Sequence, residues 1–312
     1  MNTLPRDQVS SVDQVSLPIS SLAALIILLL LILFFSLVGT GITFVLGSVQ
    51  GVNYNDIFNA LSSESPIEHR NFMRSALLVN HLFMFALPAI CFGWMMYRQK
   101  GLHFFSLNRW PSFHLSTLSI FWILFSFPLV QLTFWLNQQL PLPSWAINME
   151  DSTNNLISGL MVTDGSLELI FNLLVIAVLP GIGEELIFRG IFQQHLAKIT
   201  KSMHAGIWSS AILFSAMHLQ FEGFLPRMML GLMLGYLFYW TANLWLPIIA
   251  HLFYNGIQVI GYFLYADQLP ELDIQEAQPS SWPITLISLI FVLVLAYYFR
   301  KMGREQLSEQ HH

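Results

Sequence analysis

Charge is scarce in this chain. Of its 312 residues only 10% are Asp, Glu, Lys or Arg, against 55% hydrophobic, and the mean hydropathy is +0.60. A soluble domain carries about 25% charged residues, so the composition excludes an ordinary soluble globule and predicts an all-α polytopic membrane protein. Basic residues are few as well: 13 Lys and Arg stand against 18 Asp and Glu, for a net charge of -5. With those few lying between apolar runs, nothing offers the basic surface that a nucleic-acid partner requires. Cysteine occurs once, as Cys91 in an apolar run. One cysteine excludes an intrachain disulfide and any multi-cysteine zinc site, and it reads as a packed thiol. There is no internal repeat, no low-complexity tract and no soluble domain between the apolar runs. The whole chain, 1–312, reads as one integral-membrane domain.

What is abundant is the long apolar run. A bilayer span takes about 20 mostly apolar residues, and eight segments qualify or nearly so: 17–46, 76–96, 115–136, 167–188, 205–218, 225–240, 244–264 and 283–299. The first is too long for the apolar stretch of a signal peptide and has no early basic cluster, so it reads as a span. The fifth and sixth are short. Basic residues follow spans two and four (Arg98, Lys100, Arg109; Lys198, Lys201) and fill the C-terminal tail (Arg300, Lys301, Arg304). Acidic residues follow spans three and seven (Glu150, Asp151, Asp164; Asp267, Glu271, Asp273, Glu276). Under the positive-inside rule this alternation places both termini in the cytoplasm, in a bacterium at the inner membrane. Two longer external connections, 47–71 and 137–166, read as loop with a short amphipathic piece on the membrane surface.

Against that background the fourth span is anomalous. It carries Glu184-Glu185-Leu-Ile-Phe-Arg189, and a charged side chain near a helix centre costs about 2.5–3.5 kcal/mol on insertion scales. Such residues face a bundle interior or a wet cavity and mark a site. Glu185 and Arg189, four apart, share a helix face and can pair. Glu184 is turned about 100° away and is left for chemistry. Pro180, Gly181 and Gly183 just before it can kink the helix and admit water or a substrate backbone. The fifth span ends in Phe214-Ser-Ala-Met-His218, where Phe214 packs beside the imidazole, and the seventh carries His251-Leu-Phe-Tyr-Asn255. His251 and Asn255, one turn apart, can both donate to one oxygen, as an oxyanion hole requires. Glu184 and His218 can hold and deprotonate a water. Alternatively Glu184, His218 and His251 bind a zinc ion that does so. The metal-free site is favoured, because Arg189 repels a divalent cation and His251 shares its face with Asn255. His81 and Asn80 in the second span read as structural. Met228, Met229 and Met233 read as packing, and Gly231 with Gly235 as a small-xxx-small pattern for close helix approach.

EExxxR, then FxxxH, then HxxxN, in this order on apolar helices, resembles the CPBP family: the CAAX proteases and bacteriocin-processing enzymes, also called type II CAAX prenyl endopeptidases or the Abi family. Phe188-Arg189-Gly190 and the approach Asn243-Leu-Trp-Leu-Pro247 to His251 agree with it. The likeness spans about Glu168 to Gly256, so 166–256 is the expected catalytic core; elsewhere the chain matches only as apolar helices. The resemblance implies an eight-helix intramembrane protease with a cavity open to the membrane or cytoplasm. Glu184 and His218 would activate water, His251 and Asn255 would form the oxyanion hole, and Glu185 and Arg189 would support the site. It implies a substrate that is a prenylated protein C-terminus or another membrane-associated peptide. A non-catalytic immunity or scaffold protein and a transporter are the competing readings. The spans as drawn leave one conflict: Glu184 and His251 fall near the cytoplasmic ends of their helices, whereas His218 falls about 20 Å along its own.

Overall fold

The computed structural model describes residues 19–265 and 278–309. The N-terminal tail, the acidic residues Asp267, Glu271, Asp273 and Glu276, and the final His311-His312 lie outside them. Among the described residues all regular structure is helical, with no strand. The helices are α1 Ser21–Gln50, α2 Tyr54–Ala60, α3 Ile67–Tyr97, α4 Phe113–Gln138, α5 Ser144–Met161, α6 Ser166–Thr200, α7 Met203–Ala216, α8 Phe224–Thr241, α9 Trp245–Tyr265 and α10 Trp282–Glu309. Their starts are written locally. The Ser20, Ser112 and Ser202 hydroxyls accept from the backbone N–H three residues on, capping α1, α4 and α7. Gly51 at φ 71° closes α1.

Six of these helices, α1, α3, α4, α6, α9 and α10, are long and apolar enough to cross a membrane, and the chain is an integral membrane protein. The fifth and sixth expected spans form helices too, but α7 has 14 residues. That is about 21 Å of rise, short of the roughly 30 Å hydrocarbon layer. α7 and α8 pack on each other as a hairpin, whose connecting turn stops against the end of α4. There Asn137 donates to the carbonyl of Phe221 at 2.8 Å and accepts from Leu225 N–H at 2.8 Å. The expected external loop 137–166 is mostly helix. α5 is fastened at the hairpin turn by Glu150, whose carboxylate accepts from Phe221 N–H at 2.6 Å and Glu222 N–H at 3.3 Å.

The far end of α5 is held by a buried polar knot. Arg74, fully buried, pairs with Glu168 and donates to Asn172 at 2.7 Å and to the carbonyls of Leu160 and Val162 at 3.0 and 2.5 Å. Arg70 pairs with Asp164. One guanidinium thus ties the first turns of α3 and α6 to the C-terminal end of α5.

α6 runs far longer than the expected 167–188 and is interrupted twice by π turns, Leu173–Val178 and Phe188–Phe192. Its packing explains the neighbouring glycines. A Cβ on Gly181 would press on the Leu252 backbone of α9 at 3.2 Å, and one on Gly183 on Phe85 of α3 at 2.9 Å. Their absent side chains admit two helices, not a substrate as the sequence suggested. Gly231 and Gly235 allow the close approach expected of them. A Cβ on Gly231 would touch Ala211 at 3.0 Å and one on Gly235 would touch Ile207 at 3.0 Å. Their carbonyls are also used: Arg189 donates to Gly231 O at 3.0 Å and Gln193 to Gly235 O at 3.1 Å. Two side chains one turn apart on α6 therefore clasp two carbonyls one turn apart on α8.

Candidate active site

Glu184 lies at the middle of α6, not near an end. It is 16 residues, about 24 Å, from Thr200. His218 lies 15 residues, about 22 Å, beyond the start of α7 at Met203. Since α6 and α7 meet at Thr200–Met203, both residues reach the same depth. The conflict in the sequence reading came from ending the fourth helix a dozen residues early. His218 is also not within a helix. α7 stops at Ala216, and His218 sits in the turn that follows, its Nδ1 2.8 Å from the carbonyl of Phe214.

Glu184, His218, His251 and Asn255 all line one cavity of about 860 Å³ among α3, α4, α5, α6, α8 and α9. The walls are mostly apolar. Glu184 is 4% exposed and its Oε2 is buried without a hydrogen-bond partner among the described residues. His251 Nε2 is 3.9 Å from that oxygen, and Nδ1 of the same ring is 2.8 Å from Glu185 Oε1. Glu185, fully buried, also receives Arg189 Nη1 at 2.5 Å on Oε1. Arg189 is further held by the Gly231 carbonyl and lies 4.8 Å over the ring of Phe214, a cation–π contact. Phe214 in turn stands edge-on to both His218 and His251, with ring centroids 5.0 and 5.8 Å apart. The Glu185–Arg189 pairing read from the sequence is present, with His251 as an additional member.

Asn255 takes part differently from the sequence expectation. Its Nδ2 donates at 3.0 Å to the carbonyl of Ile176 in the first π turn of α6. Pro180, four residues on, has no N–H with which to answer that carbonyl in α register. Asn255 supplies the donor, which fixes its amide plane and leaves its second N–H for the cavity.

The sequence reading set His81 aside as structural, and the structure brings it to the site. Its Nε2 is 3.7 Å from Glu184 Oε1, its Nδ1 is 3.2 Å from the carbonyl of Leu77, and it lines the cavity. The one signal in the sequence was a histidine at mid-span, too common by itself to separate from a bonded structural residue. The three histidines share a rule. Each Nδ1 faces a carbonyl or carboxylate oxygen that bears no proton, so the hydrogen-bond network assigns the proton to Nδ1. Nε2 is left on the other edge of each ring. For zinc, no group of three His, Cys, Asp or Glu side chains is gathered around one point among the described residues. Glu184, His218 and His251 as placed do not form a ligand set.

The comparisons bear on this stretch. The uncharacterized protein YpbD of Bacillus subtilis (strain 168) is 26% identical over 90 residues, 28% of this chain and 43% of that protein. The chain therefore spans less than half the length of this curated relative. No solved structure matches. A family model described as type II CAAX prenyl endopeptidase Rce1-like matches residues 166–257. The resemblance carried by EExxxR, FxxxH and HxxxN is thus borne out over the segment that builds the polar side of the cavity.

Proposed function

We propose that this protein is an intramembrane endopeptidase that hydrolyses a peptide bond of a membrane-associated or prenylated peptide with a water activated by Glu184 and His218. The observation that carries the reading is the Oε2 of Glu184, unpartnered among the described residues and facing one cavity with His218, His251 and Asn255, which come from two other parts of the chain. In this mechanism Glu184 takes a proton from the water as its oxygen adds to the scissile carbonyl, while His218 Nε2 orients that water. Glu184 then returns the proton to the amine as the C–N bond breaks. His81 packs beside the opposite carboxylate oxygen, with Nε2 3.7 Å away.

The developing oxyanion needs donors. Asn255 offers its second N–H. His251 offers Nε2–H when it is an imidazolium, since its Nδ1 proton is committed to Glu185. The test is cleavage of a quenched fluorescent peptide library by the purified full chain, with Glu184→Gln as control. Turnover by the wild type that falls at least about 10³-fold in a folded Glu184→Gln protein is the expected result. Equal turnover by the two overturns the assignment, and absence of turnover by the wild type favours a scaffold or immunity role. Stoichiometric zinc in the same preparation, with activity lost on chelation and restored by zinc, would favour the metal-dependent version.

A further inference from the structure

Arg227 brings a cation to this cavity, and the chemistry above does not use it. It lies on the first turn of α8 and lines the same cavity as Glu184. Unlike Arg70, Arg74 and Arg189, it makes no ion pair within 4.0 Å among the described residues. Among the described residues its guanidinium is held by neutral acceptors: Nη1 donates at 3.1 Å to the carbonyl of Gln220, and Nη2 contacts Gln220 Oε1. Gly223 makes the room, because a Cβ there would overlap the guanidinium. Two carboxylates act on it from beyond ion-pair distance: Glu184, and Glu150, which accepts from the N–H groups of Phe221 and Glu222.

Helix energetics do not explain the placement. The N-terminal turn of a helix favours anions, and α8 has no acidic residue there. Arg227 thus adds its charge to the positive end of the α8 dipole. A guanidinium left without a carboxylate at membrane depth is costly, and a fork of N–H donors of which two are answered by Gln220 keeps three for a planar anion.

We propose that Arg227 is the subsite for a carboxylate of the bound peptide, with the apolar walls contributed by residues such as Phe127, Phe134 and Leu156 taking its side chains. The proposal rests on the peptidase reading for its ligand class. The carboxylate is either the peptide's own C-terminus or an acidic side chain. In both cases the anion pins the chain at α8 while the scissile bond lies across Glu184.

Binding tests this without hydrolysis, so its failure is separable from failure of the peptidase reading. Glu184→Gln protein in detergent is titrated with one fluorescent apolar hexapeptide in three forms: free C-terminal carboxylate, C-terminal amide, and amide with a terminal-position glutamate. The free acid is expected to bind about 10- to 100-fold tighter than the amide, the range of a charge-assisted hydrogen bond. Recovery of affinity by the glutamate form assigns the anion to a side chain, and lack of recovery assigns it to the chain terminus. Arg227→Gln should abolish the difference between acid and amide. Gln220→Ala, which removes the side-chain acceptor but keeps the cation, should preserve it. Equal affinity for all three forms, or a difference that survives Arg227→Gln, overturns the proposal. If Arg227→Gln does not fold, the acid-to-amide ratio on the Arg227 protein decides alone.

Discussion

Arg189 offers the most direct test of how the site is held together. Substituting Arg189→Met removes a guanidinium that is 1% exposed and satisfies Glu185 Oε1 at 2.5 Å and the Gly231 carbonyl at 3.0 Å. Glu185 is fully buried and its Oε2 already has no partner among the described residues, so after the change its charge rests on His251 alone. Breaking a buried pair from one side costs about 3–5 kcal/mol. At about 2–4 °C per kcal/mol for a chain of this size, the melting midpoint should fall by roughly 6–20 °C. The nine tryptophans make intrinsic fluorescence in detergent a suitable assay. Glu185→Gln alone should also destabilise, because it strands the guanidinium. The double variant is the sharper measurement. Replacing both charges of a buried pair is often close to neutral, and a glutamine at 185 can still accept from His251 Nδ1. The double variant should therefore melt well above Arg189→Met, with a coupling of at least about 1.5 kcal/mol by double-mutant cycle. Strict additivity of the two losses, or an unchanged midpoint in Arg189→Met, would refute the clamp.

His81→Ala should lower kcat about tenfold with KM within about twofold, as a group that positions a general base would. His81→Gln should restore part of the loss, and an equal fall of activity and melting midpoint in both variants would reduce His81 to packing. Asn255→Ala should lower kcat by about 10²–10³, the usual loss of one oxyanion donor, with KM little changed; a loss confined to KM would point to peptide binding instead. Cysteine labelling at Ser308, in a protein whose Cys91 has been replaced, should report a cytoplasmic C-terminus, and labelling from the opposite face would reverse the topology.

The parity of crossings on which that expectation rests is the same for eight spans as for six long ones, for a geometric reason. α7 and α8 form a returning pair, so the number of crossings before α9 is even whether the pair crosses fully or stops inside. Hydropathy could not separate those cases, because a 14-residue apolar helix looks like a span with blurred ends. It also could not show that α6 continues to Thr200. Gln193, Gln194, His195 and Lys198 dilute the apolar signal there, yet Gln193 and His195 are buried, with Gln193 turned to the Gly235 carbonyl. Helix length was legible where the lipid reads it, as on α1, and was lost where polar residues continue a helix, as at the ends of α6 and α10. The knot of Arg70, Arg74, Asp164 and Glu168 was illegible for a related reason. Its members lie about ninety residues apart, and each taken singly resembles a loop charge.

The site itself was legible where one helix carries both partners. Glu185 and Arg189 are four apart, and the turn geometry alone makes them neighbours. It became illegible wherever a partner comes from another helix. Nothing in Asn255 announces Ile176, although Pro180 announces a carbonyl in want of a donor four residues before it. Nothing in His251 announces Glu185, and nothing in His81 announces Glu184. This division has a mechanistic consequence. The motif residues specify a carboxylate and its counter-charge along α6, while the protonation state of the site depends on rings delivered by α3, α7 and α9. Each ring has its Nδ1 fixed by an oxygen, and the Nε2 atoms of His81 and His251 lie 3.7 and 3.9 Å from the two oxygens of Glu184. Of the three rings, His251 alone lies against a second carboxylate, that of Glu185, among the described residues.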